Sequence, residues 1–132
     1  MKKLFISCPM RGRTPEAIRE SMEKMHRMAE MIVGEELEVI QSYIEGEPKG
    51  NEAVWKLGAA IQMLAEADVF IGIRYTEGVW RGCEVEAEVA RAYLGREVIL
   101  LNEEIWGRMM PDAMELTRTH WQRAHEVVED HC

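Results

Sequence analysis

Four short apolar runs alternate with longer stretches of helical periodicity, and that alternation narrows the folds open to this chain more than any other feature. The runs span Lys2 to Ser7, Leu37 to Ile40, Asp68 to Ile73 and Glu97 to Leu101. The last, EVILL, is continuous and branched, as expected of a strand covered on both faces. After the first run, Thr14 offers a capping hydroxyl, Pro15 suits a first helical position and Glu16 puts an acid in the first turn. Ile18, Met22, Met25, Met28, Ala29 and Ile32 then recur at helical spacing as far as Gly34. The spacing predicts a helix of about five turns with these residues inward, its methionines serving as core filler. Gln41 to Gly50 is polar with glycine and proline and reads as a long loop. Asn51 caps a second predicted helix to about Ala65, with Val54, Leu57, Ile61 and Leu64 inward. A third begins at Gly82 or Cys83 and ends at Leu94, with Val85, Val89 and Ala92 as its buried stripe and Gly95 as its stop.

The order β-α-β-α-β-α-β implies a parallel sheet with right-handed crossovers. The expected fold is α/β, a flavodoxin-like (Rossmann-like) three-layer sandwich with a parallel sheet of four to five strands. A chain of 132 residues fits one core and is short for two, so residues 1–132 are expected to form a single domain. Residues from about 103 to 132 make a C-terminal helical segment, in which Pro111 starts or kinks the second half. Trp106, Met109, Met110, Met114, Leu116 and Trp121 make this segment apolar. It packs on the chain's own sheet or on a second subunit.

Composition closes several routes. No window approaches the roughly 20 apolar residues needed to cross a bilayer, and the opening MKKLFISCPM is broken by Ser7 and Pro9, unlike a signal peptide. A soluble protein without membrane association is expected. The formal charge of -8 repels a polyphosphate backbone, so no nucleic-acid polymer is expected as partner. One small anion is still within reach, because a helix N-terminus and one arginine suffice. Cys8, Cys83 and Cys132 are odd in number, have no CxxC spacing and have no histidine pair beside them. They read as free thiols in a reducing cytoplasm, with no metal. His26, His120, His125 and His131 fall on helical patterns and read as surface or interface residues.

In open parallel sheets, ligands bind beyond the carboxyl ends of the strands, where strand order reverses. That rule selects Ser7 to Arg13, Gln41 to Gly50, Arg74 to Gly82 and the residues from Asn102 onward. The segment RGCEVEAEVARAY, from Arg81 to Tyr93, puts Glu84, Glu86 and Glu88 on the opening turns of a helix, where acids suit the macrodipole without any function. Glu84 and Glu88 share a face and read as a solvated pair beside Arg91 or Arg81. Glu86 lies about 200° from Glu84, at the edge of the inward face, and its position suits a nucleophile as well as a helix-start acid. Tyr75 and Trp80, in the loop before this helix, offer aromatic rings to a ligand or anchor their loop. Cys83 at a helix N-terminus invites a lowered pKa, although no histidine is near it in sequence.

LFISCPMRG at the first strand and turn, ADVFIGI at the third strand and WRGCEVEAEVARAY into the third helix together resemble the nucleoside 2-deoxyribosyltransferase-like superfamily. The W-x-G-C-x-x-E-x-E-x-A spacing is similar to that of an uncharacterised bacterial and phage branch. The resemblance covers roughly the first hundred residues. It implies that Glu86 is the catalytic nucleophile and that Asp68 helps bind the base or protonates its leaving nitrogen, although Asp68 reads equally as a strand-initiating aspartate that caps or solvates the loop before it, far from the strand's carboxyl end. It further implies that Ser7, Cys8, Pro9, Met10, Arg11 and Gly12 lie against the sugar and, in nucleotide users, the phosphate. Tyr75, Trp80, Gly82 and Cys83 complete the expected substrate site. Many relatives have a tyrosine where this chain has Phe5, which removes a hydroxyl that orients the nucleophile. The implied activity is cleavage or transfer at the N-glycosidic bond of a (deoxy)nucleoside or nucleotide through a covalent glycosyl-enzyme, with no cofactor and in a homodimer or larger homo-oligomer. The alternatives are a nucleoside 5'-monophosphate hydrolase that depends on Arg11 and a nucleotide-sequestering protein without turnover.

Overall fold

The computed structural model describes residues 1–41, 52–74 and 79–130 of the chain. Strands β1 (Lys2–Ile6), β2 (Leu37–Val39), β3 (Val69–Ile73) and β4 (Glu97–Leu101) form one sheet in the order β2-β1-β3-β4, each pair parallel. Helices α1 (Pro15–Val33), α2 (Glu52–Leu64), α3 (Arg81–Val89), α4 (Glu103–Met109) and α5 (Pro111–Asp130) complete it. The architecture is the flavodoxin-like, Rossmann-like three-layer sandwich, with four parallel strands.

Side-chain alternation along the strands builds the two cores. Leu4 and Ile6 pack with Met25 and Ala29 of α1 and with Trp106, Met110 and Ala113 of the C-terminal helices. Phe5 points the other way and joins Phe70, Ala60 and Leu64 of α2, and Ala90. The Phe5 and Phe70 rings stack with centroids 5.8 Å apart. Burying side chains of this size contributes about 1.5–3 kcal/mol each.

Local signals at α1 act as their chemistry dictates. The Thr14 side chain accepts the Ala17 N–H at 3.1 Å, and Gly34, at φ 83°, donates its N–H to the Glu30 carbonyl. A left-handed residue at this stop favours glycine.

Several inward faces differ from the sequence expectation. In α1 the buried residues are Ile18, Ser21, Met25 and Ala29, while Ile32 is exposed. Val54 of α2 is exposed, and Ala60 and Leu64 carry its burial. The expected stripe of Val85, Val89 and Ala92 on α3 is turned: Val85 is 40% exposed, Ala92 is exposed and Val89 partly buried, whereas Cys83 and Ala90 are buried and Glu86 and Ala87 half-buried. Two turns separate Cys83 from Ala90, so the line facing the sheet runs through Glu86 and Ala87. Beyond it, Ala90–Leu94 forms a π-helical turn, which changes the helical phase of Tyr93 and Leu94.

Strand β4 is an edge strand, and Val98, Ile99 and Leu100 are accordingly only partly covered. In the C-terminal segment, Pro111 starts α5, and Trp106 and Met110 are wholly buried in the chain's own core. They are therefore unable to form a face for a second subunit. Among the described residues, no helix is long and apolar enough to cross a membrane. The cap expected at Asn51 and the loop residues 42–50 lie outside the described residues.

Candidate active site

The chain leaves β1 for β2 on one side and later returns to β3 on the other, so strand order reverses between β1 and β3. The segments that follow these two strands meet at the carboxyl edge of the sheet. Ser7 extends the ladder one residue past β1 by donating its N–H to the Ile71 carbonyl at 2.8 Å. Its side chain shares the Phe5 face, two residues on, and its Oγ donates to Glu86 Oε1 at 2.7 Å. Ser7 itself is buried.

Gly72, on the neighbouring strand, gives the Phe70 ring its space. A Cβ on Gly72 would lie 2.7 Å from Cε1 of Phe70, 2.9 Å from its Cζ and 3.4 Å from Cβ of Ser7. The strand thus leaves room for the Phe70 ring beside the serine.

Burial raises the Glu86 carboxyl from its ordinary 4.5 to about 7, partly offset by the Ser7 hydrogen bond. Near neutral pH the site therefore holds both the acid and the carboxylate in quantity. The thiols beside it are inert. Burial raises Cys8 to about 11, against the lowering effect of Arg13. Cys83 is raised strongly, first by burial and then by the Glu86 charge. The lowered pKa expected of Cys83 from its helix position is thus overturned, because desolvation outweighs the helix N-terminus.

The β1–α1 turn is held by Arg13 rather than Arg11. The Arg13 side chain is 1% exposed. Its Nε donates to Asp112 Oδ2 at 2.7 Å, its Nη1 to the Pro9 carbonyl at 2.8 Å, and its Nη2 to Ser21 Oγ at 2.6 Å and to Asp112 Oδ1 at 3.0 Å. Asp112 is lowered in turn, chiefly by its hydrogen bond from Arg13. Arg11 and Gly12 are exposed, Met10 is half-buried, and Pro9 and Cys8 are buried. Gly12 sits at φ 77°, a left-handed turn position.

Trp80 precedes α3, is nearly buried, and donates Nε1–H to Thr117 Oγ1 at 3.0 Å. That geometry anchors its loop to α5. Gly82 is exposed in the first turn of α3. Tyr75 lies outside the described residues. Glu84 is exposed, and Glu88 pairs with Arg91 at 2.9 Å, a solvated surface pair.

Asp68 does not join the site. It accepts the Lys3 N–H at 2.9 Å and pairs with Arg96 Nη1 at 2.9 Å, at the amino end of the sheet. Lys3 and Ser7 are four residues apart on an extended segment, about 13 Å. The expected general acid therefore sits at the wrong end of its strand to reach a bond at Glu86, and it serves to tie strand ends together.

The sequence selected the segments that hold Arg13, Asp112 and Thr117 but gave these residues no role, and it gave none to Gly72. Arg13 and Asp112 are 99 positions apart, and neither lies in a motif that announces the other. Gly72 carried a signal, as a lone glycine inside an apolar strand marks close approach of another group. Among the described residues, no group of three His, Cys, Asp or Glu side chains could hold a metal ion.

The class defined by this geometry is a Rossmann-like α/β protein with a half-buried carboxyl group at its strand-order reversal. The chain matches no family model, no curated protein and no solved structure.

Proposed function

We propose that the protein cleaves or transfers at the N-glycosidic bond of a (deoxy)nucleoside or nucleotide, with Glu86 as nucleophile. The observation that carries this reading is the Glu86 carboxyl group, drawn inward at the carboxyl edge of the sheet and hydrogen-bonded by Ser7 at 2.7 Å. A carboxylate there can attack the anomeric carbon to form a glycosyl ester as the bond to the base breaks and its electron pair leaves with the base. The same negative charge stabilises the oxocarbenium-like transition state. Because Asp68 is remote, the departing base takes its proton from solvent in this scheme. Water then gives hydrolysis, and a second base gives transfer.

The resemblance of LFISCPMRG and WRGCEVEAEVARAY to the nucleoside 2-deoxyribosyltransferase-like superfamily supports the same assignment. Free Cys8 and Cys83 fit a reducing cytoplasm, which we take as the site of action. Exposed Val54, Trp55 and Val85 support a homodimer.

Incubating the protein with deoxynucleosides and their 5'-monophosphates, with and without a second base, tests the reading by chromatography of free base. Release or exchange of base that disappears in Glu86→Ala is expected. Tight binding that survives Glu86→Gln with no base released would replace it with the sequestering protein. Turnover confined to monophosphates and lost in Arg11→Ala would select the nucleotide hydrolase.

A further inference from the structure

We infer that Ser7 is the positioning residue of the Glu86 carboxyl group, fixing Oε1 and leaving Oε2 as the attacking oxygen. The inference rests on the glycosidic reading for the identity of the attack, but its geometric content is independent of the substrate.

Ser7 is buried and its backbone is fixed by the Ile71 carbonyl at 2.8 Å. Its hydroxyl therefore approaches Glu86 from a rigid strand end, which is how a side chain is held to within a fraction of an ångström. The hydrogen bond goes to one oxygen, Oε1, at 2.7 Å. A hydroxyl donates a single proton, so Oε2 keeps its lone pairs and faces no donor from Ser7.

Phe5 supports the assignment from the neighbouring position. It lies on the same face, has no hydroxyl, and is committed to Phe70 at 5.8 Å. The hydroxyl on this face that reaches Glu86 is that of Ser7, two residues on. The Arg13 guanidinium secures the following turn through the Pro9 carbonyl and Cys8 Sγ.

The groups that bear on Glu86 are few among the described residues. Ser7 and Cys8 come from the segment after β1, Cys83 from α3 itself, and Arg13 with Asp112 stands behind Cys8. Ser7 also stands in hydrogen-bonding reach of the Cys83 thiol, but both thiols stay protonated through neutral pH, so removing the serine hydroxyl alters no other charge near Glu86.

The test is Ser7→Ala beside Ser7→Thr, which restores a hydroxyl. Two readouts are taken on each: the carbon NMR titration of the Glu86 carboxyl in the free protein, and the pH profile of base release. A hydrogen bond to the charged form favours that form. Ser7→Ala is therefore expected to move the Glu86 midpoint upward, to shift the rising limb of kcat to higher pH and to lower kcat on the order of 10²-fold with KM little changed. Ser7→Thr is expected to restore both. An unchanged Glu86 midpoint in folded Ser7→Ala overturns the inference. A shifted midpoint in a protein that releases no base from any nucleoside sustains the positioning role and overturns the glycosidic reading alone.

Discussion

At the scale of the residue, Glu86 sets a conflict between stability and function. Folding places its carboxyl in surroundings that prefer the proton, and the nucleophile proposed here needs the proton gone. With the folded value near 7 against 4.5, and roughly 1.4 kcal/mol per pH unit, ionisation in the fold costs on the order of 3 kcal/mol. The folded state binds the proton more tightly than the unfolded chain, so this contribution is complete below pH 4.5 and is lost as pH rises through about 7. Glu86→Gln has no such proton to lose. Urea unfolding at pH 5 and pH 8 is expected to show Glu86→Gln gaining on the parent by about 2–3 kcal/mol at the higher pH. A difference that stays constant with pH would place Glu86 in open water and remove the physical basis of the role proposed for it. The position of Glu86 was legible in the sequence, because a helix start after a third parallel strand lies at the sheet's carboxyl edge. Asp68 was open to the same reasoning, since a residue that begins a strand is at the opposite edge. Its partners Lys3 and Arg96 were not legible, for nothing local ties residues 65 and 28 positions apart.

At the scale of the element, the strands were read from hydrophobic runs and the helix faces less well. Strand burial is imposed by the sheet, whose parallel interior strands are covered on both faces. A helix face depends on rotation, and a single half-buried carboxyl group is enough to mislead a count of apolar residues. On α3 that count selects Val85, which is exposed, over Glu86, which is drawn in toward Ser7. The C-terminal helices likewise do more than pack. Trp106 donates Nε1–H to the Arg74 carbonyl at 3.0 Å where β3 ends, Thr117 holds Trp80 before α3, and Asp112 holds Arg13 after β1. Both segments that build the site are thus pinned by α4 and α5. Asp112→Ala removes the carboxylate from a buried guanidinium, and a buried charged donor left short of partners costs about 2 kcal/mol. Thermal unfolding is expected to fall accordingly, and limited proteolysis to cut first near residues 9–13, where Arg13 holds the turn. Retention of full stability would mean that Ser21 and the Pro9 carbonyl suffice to anchor Arg13 without its carboxylate.

At the scale of the whole molecule, charge and apolar surface pull in opposite directions. Each copy carries a formal charge of -8, which opposes association, while Val54 at 65% and Trp55 at 48% exposure stand on the first turns of α2, and Val85 on α3. Helices α2 and α3 lie on one face of the sheet, the face opposite the C-terminal helices. A stable pair of chains needs about 800 Å² from each partner, close to a tenth of the 8663 Å² surface here. Three apolar side chains are too few to supply that area, so a dimer through this face must bring the acids beside them into contact as well. Association of that kind strengthens as salt screens the repulsion, since the Debye length falls from about 10 Å at 0.1 M to about 3 Å at 1 M. Sedimentation velocity is therefore expected to show dimer increasing with added sodium chloride, and Trp55→Glu to return the chain to monomer at every salt concentration. A dimer unaffected by Trp55→Glu would assign the contact to another surface, and a monomer throughout would confine the proposed reaction to residues of one chain.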